Sequence, residues 1–363
     1  MTNHPSPITA PQRFTSVDAL RGLTVAAMLL VNNPGDWGHV YAPLLHAQWN
    51  GCTPTDLVFP FFLFIVGVSI AVGILPAIEN GAGIVRIRKR ILWRGAKIIA
   101  LGLLIALAAQ HAFDREWFRP WGVLQRIGVC FIVTGLFVSA SKPRTQWIAI
   151  AALLLGYWAL MAWGGSYAPY DNLASRVDVA LLGRHVYDFD AASGRGHDPE
   201  GLLSTLPAVA TVLLGVRIGA WLRQGKLRVI AVAGVLALLL GGAWSLAFPI
   251  NKNLWTSSYV LWTGGWAMLA LAAAHVLIDQ WQWPALGRRF GVNAITAFAG
   301  SGLLLCALSA LGWWDAAWRI GYAGWMTPRF GPYLPSLAFA LSYVLLWWCV
   351  VYVMDKRGWY LKI

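Results

Sequence analysis

Charged side chains are scarce in this chain, and their scarcity excludes a soluble multidomain protein. Only 12% of the 363 residues are charged, whereas 58% are hydrophobic. A soluble domain carries about 25% charged residues. The length is therefore better divided into apolar segments of about 20 residues, each able to cross a membrane as a helix.

Three further signals are missing. The four cysteines, Cys52, Cys130, Cys306 and Cys349, show no metal-ligand spacing, so no metal site is predicted. The first 14 residues lack the charged, apolar and small-residue regions of a cleavable signal peptide. No internal repeat is strong enough to support a transporter built from inverted repeats.

Long apolar segments dominate what is present, and most of the 22 Trp lie where these segments meet polar loops, as in an aromatic belt. The pattern predicts an all-α, polytopic transmembrane bundle. We expect about ten spans: 19–32, 54–76, 91–110, 121–140, 146–163, 202–222, 229–247, 257–279, 293–312 and 335–354.

The basic residues predict the orientation of this bundle. A formal net charge of +13 can indicate nucleic-acid binding, but the Lys and Arg fall in short loops between spans. With the N-terminus inside, the inner segments hold 16 of them and the outer segments eight. This bias places both termini in the cytoplasm, and it makes the bilayer, not nucleic acid, the expected partner.

One transmembrane domain is expected at 15–355, between cytoplasmic tails at 1–14 and 356–363. The outer connection 164–201 is too polar to span and too short for a domain. We interpret it as a lid or rim over an outward cavity.

The loop between the first two spans holds the strongest candidate for chemistry, His46, beside Trp49 and Asn50. Imidazole is well suited to take and give a proton near neutral pH, although an exposed loop histidine is the structural alternative. Asn32 ends the first span. Its amide can donate to an oxyanion, or it can simply mark the end of the helix.

Several charged residues have structural alternatives. Asp56 fits a capping box with Thr53, and Asp18 with Arg21 fits a local ion pair. Arg126 is harder to explain structurally, because it lies about 8 Å inside an apolar segment next to Gln125. A charge at that depth should face a polar cavity or an acid.

Further candidates lie at predicted outer mouths and at the start of the ninth span. Asp198 and Glu200 lie at the start of the sixth span, and two acids there are more than a helix cap needs. The run Asn251, Lys252 and Asn253 can grip an anionic or sugar ligand, unless it is a solvated loop. Asn293 is the last polar candidate.

At these residues the sequence resembles a known family. The segments SVDALRG, VNN, LHAQWNGCTPTDLVFPFFLFIVGVS, GVLQRIG, HDPEGLLST and PINKNLWTSSYV resemble, in this order, the heparan-alpha-glucosaminide N-acetyltransferase family, from Arg13 to about Asn293. The family includes a lysosomal enzyme and bacterial inner-membrane members. The resemblance implies a multi-pass acyltransferase of the bacterial inner membrane, with acetyl-CoA as co-substrate and the amine of a glucosamine-type sugar as acceptor.

The resemblance also implies site residues. The catalytic histidine of the family falls on His46, and an asparagine of the family falls on Asn32. The lumenal domain of the lysosomal enzyme has no counterpart in this sequence, so a small amino sugar or a cell-wall fragment is expected rather than heparan. A homodimer is an expectation of the resemblance alone.

Two routes and two other functions stay open. His46 can act as general base or carry the acetyl group itself. Asn32 and Asn253 can supply oxyanion donors, and Asp18 or Asp56 can orient polar neighbours. The competing function is an amino-sugar permease without acyl transfer. A further alternative is an acyltransferase that also uses acetyl-CoA but transfers the acyl group to a hydroxyl.

Overall fold

The computed structural model describes residues 14–361, and these form a helical bundle with one small hairpin. The predicted tail residues 1–13 and 362–363 lie outside the described residues. The helices are α1 Thr15–Val31, α2 Val58–Gly73, α3 Leu75–Glu79, α4 Ile84–Ala112, α5 Val123–Val138, α6 Pro143–Trp163, α7 Leu173–Leu182, α8 Thr205–Arg223, α9 Leu227–Trp244, α10 Ser257–Ala274, α11 Arg288–Val292, α12 Ala294–Ala310, α13 Trp313–Trp318, α14 Gly324–Phe330 and α15 Tyr333–Lys356.

The remaining regular elements are short. Two 3₁₀ turns, Ala42–Leu44 and Thr55–Leu57, lie between α1 and α2, and π-helical turns extend α10 at His275–Gln280 and α13 at Arg319–Ala323. Strands β1 Asp188–Asp190 and β2 Arg195–His197 pair antiparallel, with Phe189 opposite Gly196.

The all-α prediction is confirmed, and each predicted span overlaps one of the longer helices. Seven helices of the described chain are long and apolar enough to cross a membrane, and α12 with its 93° bent continuation makes an eighth if both count as one span. Helices α1 and α5 have 17 and 16 residues, short of the roughly 20 that cross a bilayer upright. The number ten, the domain limits and the side of the termini stay predictions.

Close helix contacts rest on glycine where two backbones touch. A Cβ on Gly67 of α2 would lie 2.0 Å from the Val212 carbonyl oxygen of α8, and one on Gly215 would lie 2.0 Å from the Phe64 carbonyl oxygen. Without a hydrophobic force between helices in lipid, such small-residue contacts supply the packing. They hold α2 and α8 together at the centre of the bundle.

The two ends of the bundle differ in their connections. We call the end with loops 32–54, 113–122 and 245–256 the His46 face, and the other end the opposite face. On the His46 face, Asn251 donates from Nδ2 to Oδ1 of Asn50 at 3.1 Å, and the Gly51 amide donates to the Ile250 carbonyl at 2.7 Å. These bonds fix the loop after α1 against the loop before α10.

Candidate functional site

His46 and Asp56 form a hydrogen-bonded pair. The first 3₁₀ turn and the loop after it place His46, and the second 3₁₀ turn places Asp56 at the start of α2. Nδ1 of His46 lies 2.6 Å from Oδ1 of Asp56. The carboxylate is fully buried, whereas the imidazole is 46% exposed. An acid held in the wall thus orients a ring that reaches solvent.

The second oxygen of Asp56 is used for structure. Oδ2 accepts from the Ala47 and Thr53 amides at 3.0 Å each, and the Asp56 amide lies 3.4 Å from Oγ1 of Thr53. This is the predicted capping box. Tyr259 of α10 donates to the Asp56 carbonyl at 2.5 Å. The same carboxylate therefore starts the helix and holds the histidine.

Lys252 lies against the imidazole at nearly equal distances from its two nitrogens. Its Nζ is 3.2 Å from Nε2 of His46 and 3.3 Å from Nδ1. Burial lowers the pKa of Lys252, and the carboxylates of Glu200 and Asp56 oppose that shift. The loop before α10 thus brings a cation to the histidine from 206 residues away.

A cleft of about 940 Å³, its open mouth included, surrounds these groups. We call it the His46 cleft. Residues from α1, the 32–54 loop, α2, the 113–122 loop, the 164–201 segment, the 245–256 loop and α12 line it. Its polar lining residues include His46, Asn32, Asn253, Lys252, Arg119 and Glu200.

Arg119 pairs with two acids in the wall of the cleft. Its guanidinium donates to Asp198 from Nε at 2.9 Å and from Nη2 at 2.5 Å, and to Glu200 at 2.6 Å. Burial raises the pKa of Glu200, but the positive charges of Arg119, Arg126 and Lys252 outweigh it and leave that pKa below its usual range. Glu200 is therefore ionised at neutral pH.

Arg126 lies beneath this pair, completely buried. Its Nη2 donates to the Gly201 carbonyl at 2.9 Å and also contacts the Ser204 hydroxyl, and its guanidinium stacks 5.2 Å from the ring centre of Trp255. Trp255 has a φ of 50°, which is uncommon for a bulky residue. The predicted polar environment of Arg126 is thus protein backbone, hydroxyl and ring.

The segment 164–201 covers this network and is held by Trp49. Trp49 donates from Nε1 to the Tyr167 carbonyl at 2.8 Å and meets the His197 ring edge-on at 5.0 Å. Burial lowers the pKa of His197 to about 4 and raises the pKa of Asp178 on α7 to about 7. Burial within the segment therefore favours the neutral form of both side chains.

A second cavity, of about 1240 Å³, opens towards the opposite face. We call it the arginine cavity, because Arg21, Arg90 and Arg94 line it among apolar side chains of α1, α2, α4, α5 and α12. Met28 and Phe298 line both this cavity and the His46 cleft. The two spaces therefore adjoin, with these two side chains at the boundary between them.

Metal chemistry has no ready ligand set within residues 14–361. No group of three or more His, Cys, Asp and Glu side chains lies close enough there to hold an ion. Burial raises the pKa of the Cys52 thiol to about 12, so this thiol stays protonated. The polar groups that line or border the cleft include an imidazole, two amides and paired charges.

Comparison with known proteins identifies the family of this chain. The family model for the catalytic region of heparan-alpha-glucosaminide N-acetyltransferase matches residues 13–250. The chain belongs to this family. It is 29% identical to the Homo sapiens heparan-alpha-glucosaminide N-acetyltransferase and 27% identical to the Mus musculus one, with 80% of this chain covered in each case. The alignments cover 53% and 54% of those proteins, so the chain spans about half the length of the curated relatives.

The family match contains most of the predicted site, and the fold brings only part of it together. His46, Asn32, Glu200, Lys252 and Asn253 meet in the cleft, while Asp56 lies in its wall. A second group supports the cleft through hydrogen bonds to the loops around it: Trp49, Asn50, Asn251, Asp198 and Arg126. A third group lies outside the cleft: Asp18, Arg21, Gln125 and Asn293.

Asp18 and Arg21 form the predicted ion pair within α1. Arg21 lines the arginine cavity instead of the cleft, and Gln125 lines a third cavity between α4, α5 and α12. Asn293 is 1% exposed, and neither atom of its amide has a hydrogen-bond partner within the described chain.

Sequence reasoning missed Arg119, Met28 and Phe298. In the sequence, Arg119 is one of the eight outer basic residues. It lies among Trp117, Pro120 and Trp121, and such aromatic neighbours indicate a site at the membrane edge. Met28 and Phe298 carry no such signal, because apolar side chains in apolar helices look like core.

Proposed function

We propose that the chain moves an acetyl group from acetyl-CoA to the amine of a glucosamine-type amino sugar in a bacterial inner membrane. One observation carries this proposal: a His46–Asp56 pair stands in a cleft that meets, at Met28 and Phe298, a cavity lined by arginines. A histidine reached from two sides suits a reaction whose donor and acceptor come from opposite faces.

The arginine cavity suits the donor. The excess of Lys and Arg in the loops of the opposite face favours a cytoplasmic position for that face, where acetyl-CoA is available. Arg90 and Arg94 offer positive charge in an apolar surrounding, and guanidinium groups match phosphate oxygens. The thioester end then reaches towards Met28 and Phe298.

Asp56 determines which nitrogen of His46 reacts. An ionised carboxylate can only accept, so Nδ1 carries the proton in the 2.6 Å bond. This leaves the lone pair on Nε2, the atom 3.2 Å from Lys252 Nζ. In the direct route Nε2 takes a proton from the acceptor amine as its nitrogen attacks the thioester carbonyl carbon. The same proton then goes to the departing CoA sulfur.

In the covalent route Nε2 itself attacks the carbonyl carbon, and the thiolate leaves. The amine nitrogen then attacks the acetyl carbon, the bond from that carbon to Nε2 breaks, and the proton that the amine loses goes to the CoA thiolate. In both routes the carbonyl oxygen becomes an oxyanion. Lys252 Nζ can pass its hydrogen bond from Nε2 to that oxygen, and the Asn32 amide faces the same cleft. Donors fixed in this way stabilise the developing charge.

The acceptor suits the outer part of the cleft. Glu200 supplies a carboxylate held ionised by its neighbours, which can hold a sugar ammonium. The ammonium releases one proton to solvent to become the amine, and in the direct route His46 takes the second proton as that amine attacks. Asn253 and Tyr187 offer hydrogen bonds to sugar hydroxyls. The homodimer expected from the resemblance remains a separate prediction.

One observation also favours the permease alternative. Two cavities that open to opposite faces and meet at two side chains have the layout of a transporter with a central site. A permease moves the sugar without releasing CoA, so product analysis separates the two functions.

The test is free-thiol release from acetyl-CoA by purified protein with glucosamine, in wild type and in His46→Ala. We expect release by wild type and loss of roughly three orders of magnitude in His46→Ala. The matched control is His39→Ala, since His39 forms a similar 2.7 Å pair with Asp36 outside the cleft. Full activity in His46→Ala, or sugar uptake by wild-type vesicles without thiol release, would contradict the proposal.

Labelled acetyl-CoA without acceptor separates the two routes. Label on His46 supports the covalent route, and its absence supports direct transfer. Acceptor screening with amines and hydroxyls decides between nitrogen and oxygen as the nucleophile.

A further inference from the structure

A third cavity, of about 720 Å³, lies between α4, α5 and α12. We call it the side groove. Arg119, Val123 and Phe298 line both this groove and the His46 cleft. A molecule bound in the side groove therefore lies next to the cleft, with these three side chains between the two spaces.

The deep wall of the side groove is apolar and comes from one face of α4. Gly102, Ile105, Ala106 and Ala109 line it, and their spacing puts them on one side of the helix. Leu103, Leu104 and Leu107, on the neighbouring face, are exposed. They face lipid if α4 crosses the membrane, so the groove runs beside the hydrocarbon region.

The rim of the side groove, towards the His46 face, is cationic and aromatic. Arg115, Trp117 and Trp121 line it there. Arg115 is exposed and has no ion-pair partner within residues 14–361. Aromatic rings beside arginine are typical of the membrane–water interface, where phosphate head groups lie.

A buried amide marks the boundary between the apolar wall and the rim. Gln125 lines the groove and is 3% exposed. Its amide has two N–H donors and a carbonyl acceptor. It can therefore bond to an oxygen-bearing ligand in the groove.

We propose that the side groove binds the hydrocarbon tail of a lipid-anchored amino sugar with an anionic linkage, and that this molecule is an acceptor. The tail lies along Ala106 and Ala109, the anionic linkage meets Arg115, and the sugar extends past Arg119 to His46. This inference rests on the proposed acetyl transfer for the sugar's fate, but the binding of the tail does not depend on it.

The kinetic test compares two acceptors in nanodiscs: free glucosamine, and glucosamine joined through a phosphate to a farnesyl chain. Ala106→Trp fills the groove and should raise KM for the farnesyl probe at least tenfold, with less than a twofold change for free glucosamine. Leu107→Trp is the matched control, because it adds the same ring on the exposed face, and it should change neither. Equal effects of Ala106→Trp on both acceptors, or none on either, would overturn the proposal.

A binding test removes the dependence on catalysis. A photoreactive diazirine on the farnesyl tail should label peptides of α4 and α12 in wild type and lose most of that label in Ala106→Trp. If no acceptor is acetylated but this labelling holds, the binding site stands and the acetyl-transfer proposal fails. If diazirine-tagged phosphatidylglycerol labels the same peptides equally well in competition, the groove is an ordinary phospholipid site and the proposal fails.

Discussion

The His46 cleft and the arginine cavity meet at two side chains, yet they hold charge in opposite ways. In the cleft every acid has a cationic or histidine partner: Asp56 has His46, and Glu200 has Arg119. The arginine cavity has three arginines and no acid among its described lining residues, although Arg21 pairs with Asp18, which lies outside the lining. The cleft is thus balanced for proton transfer, and the cavity is biased towards an anion.

This difference teaches how one chain can serve two unlike ligands. A balanced site can receive a cationic amine and a neutral thioester without a large change in charge. A site with excess positive charge and apolar walls attracts a polyphosphate, because its charges are weakly screened there. The contrast also ranks the effects of substitutions in the two regions.

After the loss expected for His46→Ala, the largest effect is expected in the cleft from Asp56→Asn. The asparagine side chain has nearly the same shape as the aspartate but carries no charge. His46 therefore loses the carboxylate that holds a proton on its Nδ1. We expect roughly a hundredfold or greater loss of kcat. Steady-state kinetics measure it, with Asp36→Asn in the other His–Asp pair as control. Equal kinetics for the two variants would remove Asp56 from the mechanism.

A smaller effect of a different kind is expected in the cavity. Arg90→Gln and Arg94→Gln each remove a guanidinium from its lining. A lost charge-assisted hydrogen bond of about 1.5–3 kcal/mol should raise KM for acetyl-CoA about tenfold or more, with kcat little changed. The control is Arg88→Gln on the same helix, because Arg88 bonds to Ser139 outside the cavity. A fall in kcat at unchanged KM would disprove the donor assignment.

The boundary between the two regions is tested by Phe298→Ala. Phe298 lines the cleft, the cavity and the side groove, so its removal should join spaces that open to opposite faces. We expect a several-fold faster proton leak in proteoliposomes, since a wetted passage carries protons. Phe330→Ala on α14, an exposed position, should leak like wild type. Wild-type leak in Phe298→Ala would show that other residues form the barrier.

The smallest effect concerns pH and the segment that covers the cleft. The pKa of buried Asp178 is about 7, above its ordinary value of 3.8, so the folded state retains a proton that the unfolded chain releases. The stability from this proton is full below the ordinary pKa and is lost as pH rises through about 7.

Asp178→Asn removes this dependence, because the amide cannot ionise. Its Tm relative to wild type should be higher at pH 8 than at pH 5, by roughly 3 °C or more. Thermal unfolding in detergent at the two pH values measures it. Asp171→Asn, at an exposed acid of the same segment, should show no such difference, and an equal shift at both pH values for Asp178→Asn would disprove the titration.

Much of the fold was predictable, because the signals are local. Apolar length predicts a membrane helix wherever it occurs, and the longer helices lie where the sequence places them. The added elements α3, α7, α11, α13 and α14 were not predicted. Short helices such as α7 owe their position to neighbours: its cap Asn172 accepts from Ser175, but Ser175 also bonds to His197 beyond the helix.

The candidate site was predictable only where the chain itself brings residues together. His46 and Asp56 are ten residues apart, and both fell among the candidates, although Asp56 was expected to be structural first. Arg119 bonds to acids about 80 residues away, and no local pattern in the sequence carries that information.

The sequence by itself determined a membrane-spanning helical protein with a histidine loop between its first two helices, because hydropathy and motif order are properties of neighbouring residues. Only the tertiary structure decided that Lys252 meets His46, that Phe298 borders three cavities, and that an arginine-lined space opens behind the cleft. Those features depend on how closely helices approach one another, and contacts such as Gly67 with Val212 set that distance.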